Sequence, residues 1–358
     1  MATNLNPLPL PSSAHLETPP VLRQLARSHR QLAELKGVVE TIPNETILIE
    51  TLGLQEAKDS SAIENIITTE DELFQGDVAA AQFPNVATKE VHRYASALRL
   101  GFERVRTKHY LRLNDVLAIQ GTLLSSRIGL RTLPGTKLKH QDTGAVVYEP
   151  PQDAAEIARL MANFLEYFHQ EDEPGGVDPL VRMAVLHHQF ESIHPFYDGN
   201  GRTGRILNLL HLVQHGLLNL PVLYLSRHIV RHKVEYYARL QSVRDQGDWE
   251  GWVLYMLRAV EETSRHTISQ VQGIRELMRR TKHRLRAERP KIYSQDLLNN
   301  LFRHPYTKIE FIERDLDVTR PTATKYLEEL GAGGFVRKIK LGRTNFYLNE
   351  PLLKLLSS

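Results

Sequence analysis

One stretch of twelve residues, HPFYDGNGRTGR at 194–205, combines the residue types that phosphorus chemistry requires. His194 titrates near neutral pH and can accept a proton from an attacking hydroxyl group. Asp198 offers a hard oxygen ligand of the kind that holds Mg²⁺ together with substrate phosphates. Arg202 and Arg205 are three residues apart, so both guanidinium groups can bind phosphate oxygens from one helix. As a set, these residues predict transfer of a phosphorus group from a nucleotide to a hydroxyl.

The backbone around these side chains must form an anion site. Pro195 disfavours helical geometry in the residue before it, so one helix ends near His194 and the next begins at about Gly201. Glycines at 199 and 201 let the amides of a helix N-terminus approach an anion without obstruction. Asn200 can donate to a further phosphate oxygen. Taken singly, each residue could be a helix cap or a turn residue, but the set is poorly explained in that way.

The rest of the chain must position this loop, and its pattern is mostly helical. Apolar residues recur at helical spacing through most of 21–130 and 151–284. Residues 131–150 instead alternate on both sides of a QDTG turn, which predicts an isolated β-hairpin lying over the helices as a flap. From 291 to 348 the pattern predicts three short helices and then a strand pair, an order that resembles a winged helix. A mostly α fold with these two additions is expected.

Composition limits the classes of function. The 358 residues include 45 basic and 42 acidic side chains, so the net charge of +3 gives no global attraction to nucleic acid or membrane. Basic residues exceed acidic ones near the C-terminus, which leaves DNA binding there as an alternative to protein contacts. The absence of cysteine excludes disulfides and thiolate metal sites. Neither a signal-peptide pattern nor an apolar run of bilayer length is present, so a cytoplasmic protein without membrane contact is expected.

The stretch 194–205 matches the signature His-x-Phe-x-Asp/Glu-Gly-Asn-Gly-Arg-x-x-Arg at every fixed position, so the sequence resembles the Fic family. The resemblance implies a Fido fold, in which a helical core carries a β-hairpin flap that aligns a target segment. It also implies protein adenylylation, in which AMP moves from ATP to a Ser, Thr or Tyr hydroxyl and pyrophosphate is released. Mg²⁺ is the implied cofactor, with Mn²⁺ as an alternative. Unidentified target proteins, self-modification and a homodimer are the implied partners.

With the resemblance, the chain divides into five parts. The proline-rich residues 1–20 are expected to be a loose arm. The N-terminal helical region at 21–110, the Fic catalytic core at 111–255, a helical linker at 256–290 and the winged-helix domain at 291–358 follow.

The resemblance also assigns roles to residues of this chain. It makes His194 the general base and Asp198 the metal ligand, and it gives the outer phosphates to Arg202 and Arg205. Tyr237 falls where the family places the adenine pocket, although a tyrosine at helical spacing is as often part of a core. The implied set of ATP- and phosphate-binding residues is Gly199, Asn200, Gly201, Arg202, Thr203, Gly204, Arg205 and Tyr237.

A second motif lies upstream. SSAIEN at 60–65 matches the Ser/Thr-x-x-x-Glu-Gly/Asn helix with which some family members inhibit themselves, and we expect that helix at about 55–67. Ser60 and Glu64 share one helix face through their i, i+4 spacing. The resemblance implies that Glu64 pairs with Arg205 and occupies the guanidinium that should receive the γ-phosphate. It also raises the removal of AMP as a reverse activity. An exposed helical glutamate is the alternative explanation.

Two other functions compete with adenylylation. His187, Glu191 and His194 are spaced i, i+4, i+7 on one helix face, as the ligands of a metal-dependent hydrolase could be. That reading leaves the glycines and arginines of 194–205 unexplained. The other alternative is a DNA-binding regulator, in which the winged helix binds DNA and the Fic-like part only senses nucleotide.

Overall fold

The fold is described from a computed structural model, which covers residues 5–11, 15–78, 85–126, 129–140, 143–173, 175–341 and 344–357. These residues are mostly helical, as predicted. None of the helices in these ranges combines the length and the apolar character that crossing a bilayer requires.

The arm at the N-terminus departs from its prediction. Residues 1–4 and 12–14 lie outside the described ranges, but 5–11 are docked on the helical body. The side chain of Leu8 is buried, and its backbone N–H and carbonyl both bond the carboxamide of Asn163, at 2.7 and 2.8 Å. The expectation of a loose arm is therefore wrong for this segment, because one apolar side chain and a paired backbone hold it.

Within residues 15–78 and 85–126, the N-terminal part contains five helices. Their N-caps follow the sequence, since Thr18, Asn44 and Asn85 each accept a hydrogen bond from the first turn of α1, α2 and α4. Helix α2 ends earlier than predicted, with Glu64 as its C-cap, because Asn65 adopts a left-handed φ of 63°. The helices are α1 (Pro19–Val39), α2 (Glu45–Ile63), α3 (Glu70–Val78), α4 (Val86–Lys108) and α5 (Leu113–Leu124).

The predicted hairpin follows these helices. Strands β1 (Leu138–Lys139) and β2 (Val146–Tyr148) pair antiparallel, with Leu138 opposite Tyr148. Residues 141–142 of the predicted turn lie outside the described ranges. The strands are short, so most of 131–150 is extended chain on the surface of the helices, and we call this segment the flap.

The helical core is built around α7. Every residue of α7 from Leu180 to Ile193 is buried, so this helix has no solvent face. Helix α11 has 40 residues and packs along α1, and it runs without a break across the boundary predicted between core and linker. The helices of this part are α6 (Ala154–Phe168), α7 (Pro179–Ile193), α8 (Asn200–Gln214), α9 (Ser226–Arg231), α10 (Lys233–Gln246) and α11 (Trp249–Glu288).

The remaining chain forms a C-terminal domain with the predicted order of three helices and a strand pair. A short additional strand completes an antiparallel sheet of order β3-β5-β4. Residues 342–343, between the two strands of the predicted pair, lie outside the described ranges. The elements are α12 (Gln295–Arg303), β3 (Tyr306–Thr307), α13 (Ile309–Leu316), α14 (Arg320–Ala332), β4 (Arg337–Leu341), β5 (Thr344–Leu348) and α15 (Glu350–Leu356).

This domain packs directly on α2 and α3. The guanidinium of Arg303 forms two parallel hydrogen bonds with the carboxylate of Glu50 on α2, at 2.6 and 2.8 Å. The hydroxyl of Tyr306 donates to Asp71 on α3 at 2.7 Å. The helix that carries Ser60 is therefore held between the helical core and the C-terminal domain.

Candidate active site

The stretch 194–205 forms the loop between the central helix α7 and α8, which we call the motif loop. Helix α7 ends at Ile193, and His194 follows as its C-cap in the left-handed conformation, with φ of 49°. Gly199 is the N-cap of α8, with φ of 77°, a conformation that favours glycine. The N-terminus of α8 thus opens directly from the loop, as the sequence predicted.

The loop is held rigid from within. Phe196 is fully buried. The Asn200 side chain accepts a hydrogen bond from the Phe196 backbone N–H and donates one to its carbonyl, both at 2.8 Å. Asn200 was predicted to donate to phosphate, whereas here its carboxamide closes the loop on itself. The N–H groups of Phe196 and Gly199 are thus already paired within the loop, the latter with Oδ1 of Asp198 at 2.6 Å.

His194 lies in an environment that keeps its imidazole neutral. Burial and then the positive charges of Arg131 and Arg244 lower the pKa of His194 to about 4. Its Nδ1 is buried and has no hydrogen-bond partner among the described residues. A neutral imidazole at pH 7 is the form that can accept a proton, which suits the role predicted for this residue.

Asp198 and Arg202 lie side by side at the start of α8. The Asp198 side chain is 72% exposed, and its Oδ1 lies 3.9 Å from Nη2 of Arg202. Arg202 is itself buried and forms an ion pair with Glu90 of α4 at 2.9 Å. Nothing in the sequence indicated Glu90, because it lies on a helix distant along the chain. One carboxylate is thus open to solvent while the neighbouring guanidinium is already paired.

Arg205 is held by the upstream motif. Its Nε donates to the Ser60 hydroxyl and its Nη2 to the Ser60 carbonyl, both at 2.8 Å, and Nη2 also donates to Oε1 of Glu64 at 2.9 Å. Burial disfavours the charge of Glu64, but Arg205 outweighs it and keeps the pKa of this carboxyl below its usual value. The structure therefore brings together Ser60, Glu64 and Arg205, the contact that the resemblance implied.

Gly201 lies directly beneath this ion pair. A Cβ atom added there would be 2.3 Å from Oε1 of Glu64 and 2.9 Å from Nη1 of Arg205. The absence of a side chain at 201 is therefore what allows the carboxylate to approach the first turn of α8. The Glu64 carboxylate lies at the helix N-terminus, where an anion is favoured by the backbone amides and the helix dipole.

Two predicted phosphate-binding residues, Thr203 and Gly204, lie inside the helical core. Thr203 is fully buried, and its hydroxyl has no partner among the described residues. A Cβ at Gly204 would meet Phe190 at 3.1 Å and Glu191 at 3.2 Å, so this glycine lets α8 approach α7 closely. Both positions therefore face the helical core and not the solvent side of the motif loop.

Two roles were considered for Tyr237 on α10, a place in the adenine pocket and a place in the core. Tyr236 is buried, and its hydroxyl is 2.8 Å from Nε2 of His187. Tyr237 is 41% exposed. Tyr236 is therefore the core residue of the two, while the Tyr237 side chain is open to a ligand. The start of α10 reaches the SSAIEN motif, because Lys233 donates to the Asn65 side chain at 3.1 Å.

The hydrolase constellation is not assembled. Across the described ranges, no group of three or more His, Cys, Asp or Glu side chains could hold a metal ion. His187 bonds Tyr236 and stacks on Trp252, with ring centroids 6.0 Å apart. Glu191 is buried beside Arg205, and burial raises the pKa of its carboxyl to about 7.

Sequence reasoning missed two residues that join the flap to the motif loop. The backbone N–H groups of Thr132 and Leu133 donate to the hydroxyl of Tyr197, at 2.9 and 3.0 Å. Arg131, fully buried, donates from Nε to the His194 carbonyl at 2.7 Å. The only signal for these two residues was their position, since Arg131 is the first residue of the flap and Tyr197 is a variable position of the signature.

Comparison with known proteins identifies the family to which the chain is similar. Three family models match in succession: Fic/DOC family N-terminal at residues 22–103, Fic/DOC family at 110–212, and Protein adenylyltransferase SoFic-like, C-terminal domain at 277–352. A solved Fic family protein from Desulfovibrio desulfuricans G20 superposes with a TM-score of 0.60 at 21% identity, over 93% of this chain and 96% of that one. Fic-1 from C. elegans has a TM-score of 0.54 at 22% identity, over 70% and 73% of the two chains.

Curated relatives agree over shorter segments. Protein adenylyltransferase fic-1 of Caenorhabditis briggsae is 32% identical over 105 residues, which are 29% of this chain and 19% of that protein. Protein adenylyltransferase Fic of Drosophila mojavensis is 26% identical over 156 residues, 44% of this chain and 29% of that protein. The chain thus spans less than a third of the curated relatives it matches. The fold and the motif loop are those of a helical Fic-type protein. The chain belongs to the Fic/DOC family.

Proposed function

We propose that this protein is an adenylyltransferase that moves AMP from ATP to a Ser, Thr or Tyr hydroxyl of a protein and releases pyrophosphate. The observation that carries the proposal is the motif loop itself: a neutral, half-buried imidazole and the N-terminus of α8 lie beside two buried arginines. The names of the curated relatives support the same reaction.

The proposed chemistry begins at His194. Its imidazole accepts the proton of the target hydroxyl while that oxygen attacks the α-phosphorus of ATP. A bond forms between the hydroxyl oxygen and the α-phosphorus, and the bond from that phosphorus to the bridging oxygen breaks. Pyrophosphate leaves with the bond electrons, and AMP remains on the protein as a phosphodiester. The amides at Gly199 to Gly201 and the guanidinium groups of Arg202 and Arg205 stabilise the phosphate charge.

The residues present fit a Mg²⁺ ion. Asp198 is an exposed carboxylate beside the anion site, and Mg²⁺ is usually held by one or two carboxylates together with substrate phosphates and water. Mn²⁺ prefers the same oxygen ligands. When bound, the ion would neutralise phosphate charge. Asp198 would hold it, with the nucleotide supplying the other ligands.

In the state described here, the enzyme would be inhibited. Glu64 occupies Arg205 and lies over Gly201, so a triphosphate that needs both would lose part of its site. We infer that Glu64 disfavours the pose in which the α-phosphorus is in line with an attacking hydroxyl. Self-modification, a homodimer, a cytoplasmic location and the flap's alignment of the target by strand pairing remain predictions.

Mass spectrometry tests the proposal. The full chain with Glu64→Gly is incubated with Mg²⁺ and ATP, alone and with a cell lysate, and a mass gain of one AMP is expected on the enzyme or on a lysate protein. The matched control adds His194→Ala, which should abolish the gain. If no protein gains AMP, or if the His194→Ala control gains as much, the proposal is wrong.

The reverse reaction has its own experiment. A protein modified by the Glu64→Gly variant is purified and incubated with the wild-type chain and Mg²⁺. Release of AMP by the wild-type chain but not by the Glu64→Gly variant would show that Glu64 also supports removal.

A further inference from the structure

Arg131 is a buried cation that the proposed chemistry does not use. Its side chain is fully buried, and no carboxylate forms an ion pair with it within the described ranges. Its partners are backbone carbonyls: Nε donates to His194 at 2.7 Å, and Nη2 donates to Ile193 at 3.2 Å and to Pro151. Its own backbone N–H donates to the Pro195 carbonyl at 2.8 Å. Burying an arginine without a carboxylate is costly, so this position needs an explanation.

Two of these carbonyls belong to the C-terminus of α7. The last carbonyls of a helix lack partners within the helix and carry the negative end of its dipole, so a guanidinium is favoured there. His194, the C-cap, has a left-handed φ of 49°, which is unfavourable for a residue other than glycine. Arg131 bonds the carbonyls on both sides of this backbone turn and so helps to hold the conformation from which the imidazole extends.

The flap is attached at both of its ends to the motif loop or to the end of α7. At its start, the N–H groups of Thr132 and Leu133 donate to Tyr197 of the motif loop. At its end, the hydroxyl of Tyr148 donates to the Ser192 carbonyl at 3.1 Å. Arg131 is where these attachments meet, because it bonds the end of α7 and also the Pro151 carbonyl just beyond the flap. The flap and the imidazole thus rest on one support.

We propose that Arg131 is a positioning residue, which fixes the imidazole of His194 relative to the flap and therefore to the target hydroxyl that the flap would align. This inference rests on the proposed function, since it gives the base and the flap the roles stated there. It adds that a buried guanidinium helps to set the distance between them, together with the contacts of Tyr148 and Tyr197.

The charge of Arg131 affects the pKa of His194, a quantity that would not change if Arg131 only stabilised the fold. Burial lowers the pKa of His194 first, the positive charges of Arg131 and Arg244 lower it further, and Glu64 acts in the opposite direction. Removing the charge at 131 should therefore raise the pKa of the His194 imidazole, whereas lysine at 131 should leave it low.

The test uses the full chain with Glu64→Gly as parent and compares Arg131→Met with Arg131→Lys. Arg131→Met should lower kcat on the order of 100-fold with little change in KM for ATP, because a small displacement of the base is costly. Lysine can reach only some of the carbonyls, so Arg131→Lys should lose less. An NMR titration of the His194 ring, identified by its absence in His194→Gln, should show a raised pKa in Arg131→Met alone.

Arg182→Met is the matched control. Arg182 is also buried on α7 and donates to backbone carbonyls, but these are Gln170 and Val177 near the other end of the helix, and it also pairs with the Asp172 carboxylate at 3.2 Å. It should lower stability without lowering kcat of the folded protein or shifting the His194 pKa. Parent-like kcat and His194 pKa in Arg131→Met would overturn the inference. If that variant does not fold, parent-like kcat in Arg131→Lys overturns it. If the parent transfers no AMP, the proposed function fails, while the NMR titration still decides whether Arg131 governs the imidazole.

Discussion

Oε1 of Glu64 lies 2.9 Å from Nη2 of Arg205, although 141 residues separate the two along the chain. The contact is reinforced by Ser60, which accepts hydrogen bonds from the same guanidinium through its hydroxyl and its carbonyl. Because Arg205 is buried, its charge is screened little by solvent, and a carboxylate beside it is a strong partner. The structure therefore has an internal carboxylate bound at Arg205.

Removing that anion should activate the enzyme. Glu64→Gly should raise AMP transfer roughly 10- to 100-fold, as expected for losing a charge-assisted hydrogen bond of about 1.5–3 kcal/mol. Glu64→Gln keeps the shape and removes the charge, so it should give an intermediate rate. Transfer is measured with labelled ATP, and equal rates in wild type and both variants would contradict the inhibitory role.

Substitutions at Gly201 and Glu64 should have non-additive effects on the free energy of unfolding. Gly201→Ala puts a Cβ 2.3 Å from Oε1 of Glu64, so overpacking should cost roughly 1–3 kcal/mol of unfolding free energy. The cost should be smaller when Glu64→Gly is also present, because the clashing atom is gone. Chemical denaturation of the four proteins in this cycle measures the coupling. Equal costs in both backgrounds would mean that Glu64 does not occupy the space above Gly201.

The pH dependence of transfer should follow His194. Its pKa is lowered to about 4, so the imidazole is neutral above that value, and activity is lost as the pH falls through it. In the Glu64→Gly variant, kcat/KM should therefore fall at about pH 4 or below, and not near the ordinary histidine value of 6.5. Circular dichroism in the same buffers checks that the protein stays folded. An acid limb centred near pH 6.5 would show that the imidazole is not shielded as described.

Glu56, one helical turn before Ser60, predicts a pH dependence of stability. Burial raises the pKa of its carboxyl to about 8, against an ordinary value of 4.5. The folded state thus keeps a proton that the unfolded state releases, so this contribution to stability is present below about pH 4.5 and is lost as the pH rises toward 8. Glu56→Gln should be more stable than wild type at pH 8 but not at pH 5. Thermal unfolding at both pH values, with exposed Glu276→Gln as control, tests this, and parallel curves would contradict it.

The contact between Glu50 and Arg303 should influence α2, the helix that ends at Glu64. Single changes to Gln and the double variant should give a coupling free energy of about 1–2 kcal/mol, because the pair is bidentate and partly buried. Loosening α2 should also raise AMP transfer several-fold. Arg159→Gln, which breaks an exposed pair with Glu156, should change neither quantity appreciably. Unchanged transfer in Arg303→Gln would show that the C-terminal domain does not support α2.

Most of the site was predictable because its residues are close in sequence. The spacing within 194–205 indicated the loop and the start of α8, and the SSAIEN motif indicated the partner of Arg205. The first prediction depended on local pattern, whereas the pairing of Glu64 with Arg205 came from the resemblance to the Fic family. The helical fold followed from the apolar periodicity, which is also a local pattern.

What could not be predicted depends on contacts between distant segments or with backbone atoms. Arg131 bonds carbonyls, which every residue has, so no residue type elsewhere in the sequence points to it. Glu90 pairs with Arg202 across two helices. The docking of Leu8 depends on one buried side chain and one distant carboxamide. Adjacent Tyr236 and Tyr237 could be separated only by seeing which of them faces α7.

Because Glu64 and Arg205 belong to one chain, the carboxylate is a ligand that cannot diffuse away. Tethered groups act at an effective concentration on the order of millimolar, whatever the concentration of the protein. Dilution of the enzyme would therefore not relieve the restraint, whereas a nucleotide that uses Arg205 has to compete with it. The balance between the two states depends on the nucleotide supply and on the contacts that hold α2, and not on how much of the protein is present.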